Sequence, residues 1–395
     1  MTRITVASFN VKNLIGPDQE NYRYARYTPE ENAWKADWLA DQILTMDADI
    51  IGLKEIFEED ALRRVVAEAD ARGIAANEAN LPDSTKRYAK KAIFRKLAYA
   101  PYTDAALAFA ANINDGGPGE RRPGLAVLSR LGFAEAPVVI QDVLPPLEIP
   151  MRELGGADGG HYRMSRLSRP LLKVRVPVGG QVVSVFNCHL KSKLGEFMRP
   201  EGAAFAPEAD LTAYDAAGRA MGALRSALRR MAEAWVLRRE ILAELDKGHP
   251  VIVLGDFNDS EYAVSSEIIA GERPFRNYSW MRRHDAERAN DRYSTEENEA
   301  ITEAIERVRL HSAEKLFVRR SLRDMVYTAS FGGVFESIDQ IYFSRHFHPE
   351  FEHRIGEMEY FSVFNDHLTD GSHPEAPYNK LASDHGQIMA HMRLR

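Results

Sequence analysis

Eight short strand-like runs set the limits on this fold, because they are interleaved with helical segments instead of being gathered in one half of the chain. They are RITVASFN (3–10), ADIIGLKEIF (48–57), GLAVLSR (124–130), LLKVRVPV (171–178), QVVSVFNCHL (181–190), PVIVLGDF (250–257), SIDQIYFS (337–344) and GQIMAHMRL (386–394). Helical patterns occupy about 30–46, 58–72, 208–247 and 294–318, the third ending at DKGHP, where glycine and proline stop a helix. Two of the strand runs face each other across VGG as a hairpin, whereas others are joined by helical crossovers. A purely parallel sheet is therefore disfavoured, and the expected class is α/β with mainly antiparallel sheets. Polar or Gly/Pro-rich stretches at 112–123, 142–160, 195–207 and 365–381 read as surface loops, and none resembles a Ser/Gly linker. A single domain over 1–395 is expected, elaborated at about 195–247, 268–330 and 345–381.

Charge and cysteine content exclude several function classes. With 45% hydrophobic and 28% charged residues the chain can bury a sizeable core, and its net charge of −7 argues against a protein held on nucleic acid by bulk charge. Two local basic groups remain, Lys86 to Lys96 (KRYAKKAIFRK) and the Arg225, Arg229, Arg230, Arg238, Arg239 set; each is first expected to be a solvated helix face. The one cysteine, Cys188, excludes an intrachain disulfide and a multi-thiolate zinc site, so any metal must be held by oxygen or histidine. The N-terminus passes directly into a strand pattern without a secretory signal, and no apolar run approaches about 18 residues, so a cytoplasmic location without a membrane span is expected. No obligate protein partner is evident.

The chemistry concentrates where strands end. SFNVKN carries Asn10 and Asn13, GLKEI carries Glu55, FNCHLKS carries His189, LGDFND carries Asp256 and Asn258, SIDQI carries Asp339, and ASDHG carries Asp384 and His385. A polar residue at one strand end is ordinary, serving as a cap or a turn, but this combination is not. Four carboxylates, three amides and two histidines are what metal-assisted attack on a phosphate ester requires. A hard cation such as Mg²⁺, with Mn²⁺ as a substitute and one or two ions, takes oxygen ligands. A histidine held by an aspartate orients or activates water, while amide donors and the cation stabilise charge on phosphoryl oxygens. No Gly-rich phosphate loop and no nucleophile elbow occurs.

Taken in order, SFNVKNL, GLKEI, GLAVLSR, LSRPLLKV, NCHLKS, GDFND, SIDQIYFS and SDHG resemble the endonuclease/exonuclease/phosphatase superfamily of metal-dependent phosphoesterases, from residue 4 to about 393. The resemblance implies a four-layered α/β sandwich, with two mainly antiparallel sheets packed face to face, helices outside and an active site at one rim. By the same resemblance, Asn10, Glu55 and Asp384 match metal ligands, and His385, held by Asp339, matches the histidine that contacts the scissile phosphate or activates water. Asp256 matches the aspartate that positions or deprotonates water or binds a second metal, Asn258 the phosphate-binding amide, His189 the second active-site histidine, and Arg169 a phosphate-contacting arginine. Two departures stand out: Lys12 where some members have an aspartate, leaving Asn13 as a possible substitute, and Lys54 where the family usually has glutamine. Both bring positive charge towards the metal end.

The function expected is hydrolysis of a phosphodiester by water attack, with DNA or RNA as substrate. The alternatives are a small phosphoester (a nucleotide, sugar phosphate or lipid head group) and, as a minor reading, a non-catalytic binding module. Trp34 and Trp38, four residues apart, are expected to pack a helix on the sheet; His346, His348 and His353 are expected in a solvated loop rather than at a transition metal. Residues 365–374 are expected to overhang the active site, and 293–320 to form one charged outer helix.

Overall fold

The structure, a computed structural model, describes residues 2–22, 25–79, 98–114, 120–150, 161–197, 206–212, 214–271, 294–321, 327–369 and 379–395. In chain order the first elements are β1 (Arg3–Leu14), α1 (Pro29–Met46), β2 (Ile50–Ile56), α2 (Glu59–Ala79), β3 (Ala106–Ala110), β4 (Gly124–Ser129), β5 (Val138–Pro150) and β6 (His161–Val178). There follow β7 (Gln181–His189), α3 (Ala216–Leu245), β8 (Val251–Asp256), α4 (Val264–Ala270), α5 (Thr295–Val308), β9 (Leu310–Ser312) and α6 (Ala313–Ser321). The last are β10 (Ala329–Phe331), β11 (Val334–Glu336), β12 (Asp339–Ser344), β13 (Gly356–Phe364) and β14 (Gln387–Leu394).

The long strands form two six-stranded sheets, ordered β13-β14-β1-β2-β4-β3 and β5-β6-β7-β8-β12-β9, with β10 and β11 as a separate hairpin. Each large sheet has one parallel pair, β1/β2 and β7/β8, among antiparallel neighbours. The VGG turn does join an antiparallel β6/β7 pair, and Gly179 and Gly180 supply its positive φ values of 58° and 78°.

Period-two alternation decides the layers. Ile4 and Val6 of β1, Ile50 of β2, Val183 and Val185 of β7, Ile252 and Leu254 of β8, and Ile341 and Phe343 of β12 share one core between the sheets. The intervening residues Ala7, Phe9, Ile51 and Leu53 pack on Leu39 and Ile43 of α1 and Leu62 and Val65 of α2. On the far side Phe186, Val251 and Val253 pack on Val236, Leu237 and Ile241 of α3. The result is the helix–sheet–sheet–helix sandwich. Helix starts are locally encoded: Thr28 and Ser294 form capping boxes with Glu31 and Glu297, and Asp215 accepts the N–H of Gly218.

Several expectations are corrected. Residues 142–150, read as loop, belong to β5, where exposed apolar and polar side chains alternate too irregularly to signal a strand. The helix expected from 208 begins at Ala216, where Asp215 caps it. The stretch 293–320 is two helices separated by β9, because Leu310 turns inward and pairs with Ser344 at the sheet edge. Arg225, Arg230 and Arg238 are buried, not a solvated face: Arg225 pairs with Glu208 and Arg230 with Asp259, and Arg238 donates to Ile269 O. Trp38 packs against Phe9, as expected, but Trp34 is half exposed and stacks on Trp38. Lys86–Lys96 lies outside the described residues.

One buried charge ties α3 to the second sheet. The fully buried Glu244 carboxylate accepts hydrogen bonds from Ser184 Oγ (2.7 Å), Lys173 Nζ (3.0 Å) and Arg175 Nη2 (3.0 Å), and pairs with Lys247 and His249. Burial alone would raise its pKa, yet these hydrogen bonds hold it well below the usual carboxylate range. Glu244→Ala leaves three cations facing a void and is expected to lose about 3–5 kcal/mol in urea unfolding. Because the folded pKa is depressed, this stabilisation is present above the unfolded-state value of about 4.3 and fades as pH falls below it, so the two proteins converge in stability towards acid.

Candidate active site

The same alternation that builds the core delivers the polar residues to one rim. Ser8 and Asn10 continue the inter-sheet face of β1, Asn187 and His189 that of β7, Asp256 that of β8, and Asp339 opens that of β12. β1, β2, β7 and β8 end at this rim, whereas β12 and β14 begin there, which places Asp384 and His385 just ahead of β14.

Asp256 is the hub. Its Oδ2 accepts from Asn10 Nδ2 across the sheets (3.0 Å), lies 3.3 Å from His189 Nε2 and 3.7 Å from His385 Nε2, and its Oδ1 accepts the N–H of Asn258 (2.9 Å). His385 Nδ1 sits 2.8 Å from Asp339 Oδ2, whose strand pairs Asp339 directly with Asp256. Asn10 Nδ2 also reaches Glu55 Oε1 (3.2 Å), and Glu55 Oε2 accepts the N–H of Asn13 (3.0 Å). Thus Asn10, Glu55, His189, Asp256, Asn258, Asp339 and His385 are brought together. Arg169 joins them from the second sheet, donating to Leu190 O (3.2 Å), the same carbonyl that accepts from Asn258 Nδ2 (3.0 Å). Asp384 stands more exposed at the rim, 3.8 Å from Lys12 Nζ.

Burial and charge set the protonation states. Burial pushes Asp256 up to about 6 and His189 well below its ordinary value, leaving that imidazole neutral. Burial also works to lower His385, but the Asp339 and Asp256 carboxylates override it and hold the ring as an imidazolium. Around Asp384 burial acts upwards, while the His385 and Lys12 charges bring the carboxyl below its usual value. A site with a poised carboxylate, a neutral imidazole and a cationic one is equipped to accept a proton and to stabilise an anion.

Four of the six described non-glycine residues with positive φ line this cleft: Lys12, Asn13, Glu55 and Asn258. Strained backbone of this kind persists where surrounding structure over-determines it. At Glu55 (φ 63°) the β2 ladder slips, and Ile56 instead of Glu55 joins the helix-facing cluster. Glu55 is the extra residue of that irregularity, ejected towards the cleft. Strict alternation would put Lys54 and Ile56 on one face; it fails at this point.

For a divalent cation, the oxygen donors on the Glu55 side are suitable in type. Glu55 and Asp384 supply carboxylates at the cleft, and the buried Asn13 Oδ1 has no hydrogen-bond partner among the described residues. Asp256, Asp339 and His385 also present ligand atoms within 4.8 Å of one another, a group in which a cation would compete with the proton that the two carboxylates favour on the ring. The His346–His348–His353 region carries no such group among the described residues; His346 Nδ1 is engaged by Ser344 Oγ.

The cleft has a volume of about 610 Å³; Lys12 stands beside Asp384, and the lining also carries Arg122, Arg169, Lys191 and Arg229. Buried Glu233 of α3 fixes this wall by accepting the N–H groups of Ser168 and Lys191, both at 2.7 Å. Sequence reading missed Lys191, Arg122 and Glu233, and also Lys35, which is fully buried and donates to Val11 O (3.1 Å) and Leu381 O (3.0 Å), stitching the segments that carry Asn10 and Asp384. The signal for Lys35 was present: it occupies the apolar i, i+4, i+8 stripe with Leu39 and Ile43. Residues 365–369 do approach the site, with His367 Nε2 3.0 Å from His385 O; 370–378 lie outside the described residues.

A family model described as the Endonuclease/Exonuclease/phosphatase family matches residues 7–385. Among solved structures, a family protein from Leptotrichia buccalis C-1013-b is 12% identical, with 99% of each chain covered and a TM-score of 0.44. A mannosyl-6-phosphatase from Bacteroides thetaiotaomicron VPI-5482 is 12% identical over 99% of this chain and 100% of its own (TM-score 0.44). Truncated Caenorhabditis elegans TDP2 is 13% identical over 99% and 97% (TM-score 0.43). No protein of curated function matches.

Proposed function

The chain belongs to the endonuclease/exonuclease/phosphatase family, and from that premise we propose a divalent-metal-dependent hydrolase that cleaves a phosphodiester of DNA or RNA by direct attack of water. The observation that carries this reading is the convergence of Asn10, Asp256 and His385, backed by Asp339, on one point between the sheet ends.

In this reading Asp256 takes the proton of the attacking water as its oxygen bonds to phosphorus and the bond to the leaving oxygen breaks. His385, held by Asp339, places its charge on the phosphoryl oxygens, and Asn258 and Arg169 donate to the same group. His189, neutral and buried, keeps Asp256 oriented. A cation bound by Glu55 and Asp384, with Asn10 or Asn13, would neutralise charge on the phosphoryl and leaving oxygens. The cationic wall favours a polyanion; the cleft's volume, within the range of small-molecule sites, favours the second reading, a small phosphoester.

The discriminating experiment incubates the protein with single- and double-stranded DNA and RNA and with a panel of small phosphoesters, in Mg²⁺ or Mn²⁺. Cleavage of a nucleic acid supports the first reading; hydrolysis confined to small esters removes it. The rate is also expected to fall with unit slope as pH drops below about 6, where Asp256 takes up its proton. A profile flat from about pH 5 to about pH 8 would remove Asp256 as the base.

A further inference from the structure

Lys54 is fully buried, a position in which an ammonium group loses its hydration and gains from any nearby negative charge. It lies on β2 beside Asn10 of β1, and its Nζ donates to Gly52 O (3.1 Å) and to Ser8 Oγ, both neutral acceptors. The carboxylates that act on it, Asp339 and Asp256, belong to strands of the opposite sheet. Gly52 is pressed against Asn187 and Leu254, so closely that a Cβ there would stand 2.8 Å from Asn187 Oδ1. Two residues further along these strands, which all run towards the rim, Lys54 is matched with His189 and Asp256, and through the β8/β12 register with Asp339. Burial lowers the pKa of Lys54 to about 8, and the charges of Asp339 and Asp256 work against that shift. Asp339 Oδ1 is itself buried without a hydrogen-bond partner among the described residues, so its charge is compensated on one side by His385 and on the other has only the core.

Resting on the hydrolase reading above, we propose that Lys54 is a positioning residue: its ammonium group is the fixed countercharge, on the core side, of the Asp256–Asp339 pair. From beneath, it holds the two carboxylates in place while His385 and the bound cation act from the cleft. It touches no substrate. The same relation makes it a competitor of the cation, since a fixed positive charge behind the carboxylates lowers the site's attraction for a divalent ion.

Lys54→Met separates charge from packing, because methionine fills nearly the same volume without the ammonium. The whole protein is assayed for melting temperature, for Mg²⁺ affinity by calorimetry, and for kcat and KM on bis(p-nitrophenyl) phosphate. The expected result is a folded variant whose kcat is lower by about tenfold to a hundredfold with little change in KM, and whose Mg²⁺ binding is tighter by about threefold or more. A residue that only fills space would leave both values at wild type, and that outcome overturns the proposal, as does weakened Mg²⁺ binding. If Lys54→Met does not fold, Lys54→Gln, which keeps a donor for Ser8, is put through the same measurements. Should the wild type hydrolyse no phosphoester while the variant still binds Mg²⁺ more tightly, the countercharge stands and the hydrolase reading falls.

Discussion

Asp256→Asn is expected to lower kcat/KM roughly 10³-fold while leaving the protein folded, because it removes the proposed general base without removing volume. The side chain sits between both sheets, with Oδ1 accepting the N–H of Asn258 and Oδ2 accepting from Asn10. An asparagine can keep its Oδ1 on Asn258 but turns a donor towards Asn10, so it also loses the acceptor that orients the amide next to Glu55. Burial already makes the ionised form of Asp256 unfavourable, so its neutral isostere carries no large penalty in folding. The measurement is steady-state hydrolysis of a diester, with thermal melting as the control for folding. A variant within a few-fold of wild type would place the base elsewhere and leave Asp256 as a structural residue.

The second large effect is on the metal. Chelation is expected to abolish hydrolysis, and added Mg²⁺ or Mn²⁺ to restore it, while Glu55→Gln raises the Mg²⁺ concentration needed for half-maximal rate by on the order of 10- to 100-fold. Glu55 is held on both oxygens, by Asn10 Nδ2 and by the N–H of Asn13, and its positive φ projects it out of the β2 ladder. Glutamine retains one acceptor and the backbone path but lacks the charge that attracts a hard cation. Hydrolysis undiminished by excess chelator would remove the cation from the mechanism. An unchanged Mg²⁺ requirement in Glu55→Gln would move the ligand role to Asp384 and the Asp256–Asp339 group.

Much of the centre was legible before any coordinates. The runs that end in Asn10, His189 and Asp256, and the one that begins at Asp339, are strands with apolar residues every second position, so each polar residue could be assigned to a face. SDHG, lying ahead of the last strand, could likewise be placed at a strand start. The strands β3, β5, β9 and β13 were not legible, because all four lie at sheet edges, where one side of the strand has no partner and burial imposes a weaker alternation. The buried arginines of α3 were misread for a related reason: Glu208 and Asp259, which neutralise two of them, come from segments outside the helix.

Local pattern by itself determined the class of fold, the order of the strands that carry function and the oxygen-and-histidine chemistry of the centre, because period-two alternation and residue type are properties of neighbouring residues. Only the tertiary structure decided how sheet faces sheet. That contact sets Asn10 against Asp256 and Gly52 against Asn187 and Leu254, and the irregularity at Glu55 breaks the alternation to aim a carboxylate at the cleft. Such relations depend on contacts between strands far apart in the chain, 246 residues for Asn10 and Asp256, and on the low-dielectric gap between them, neither of which is written in any local stretch of the chain.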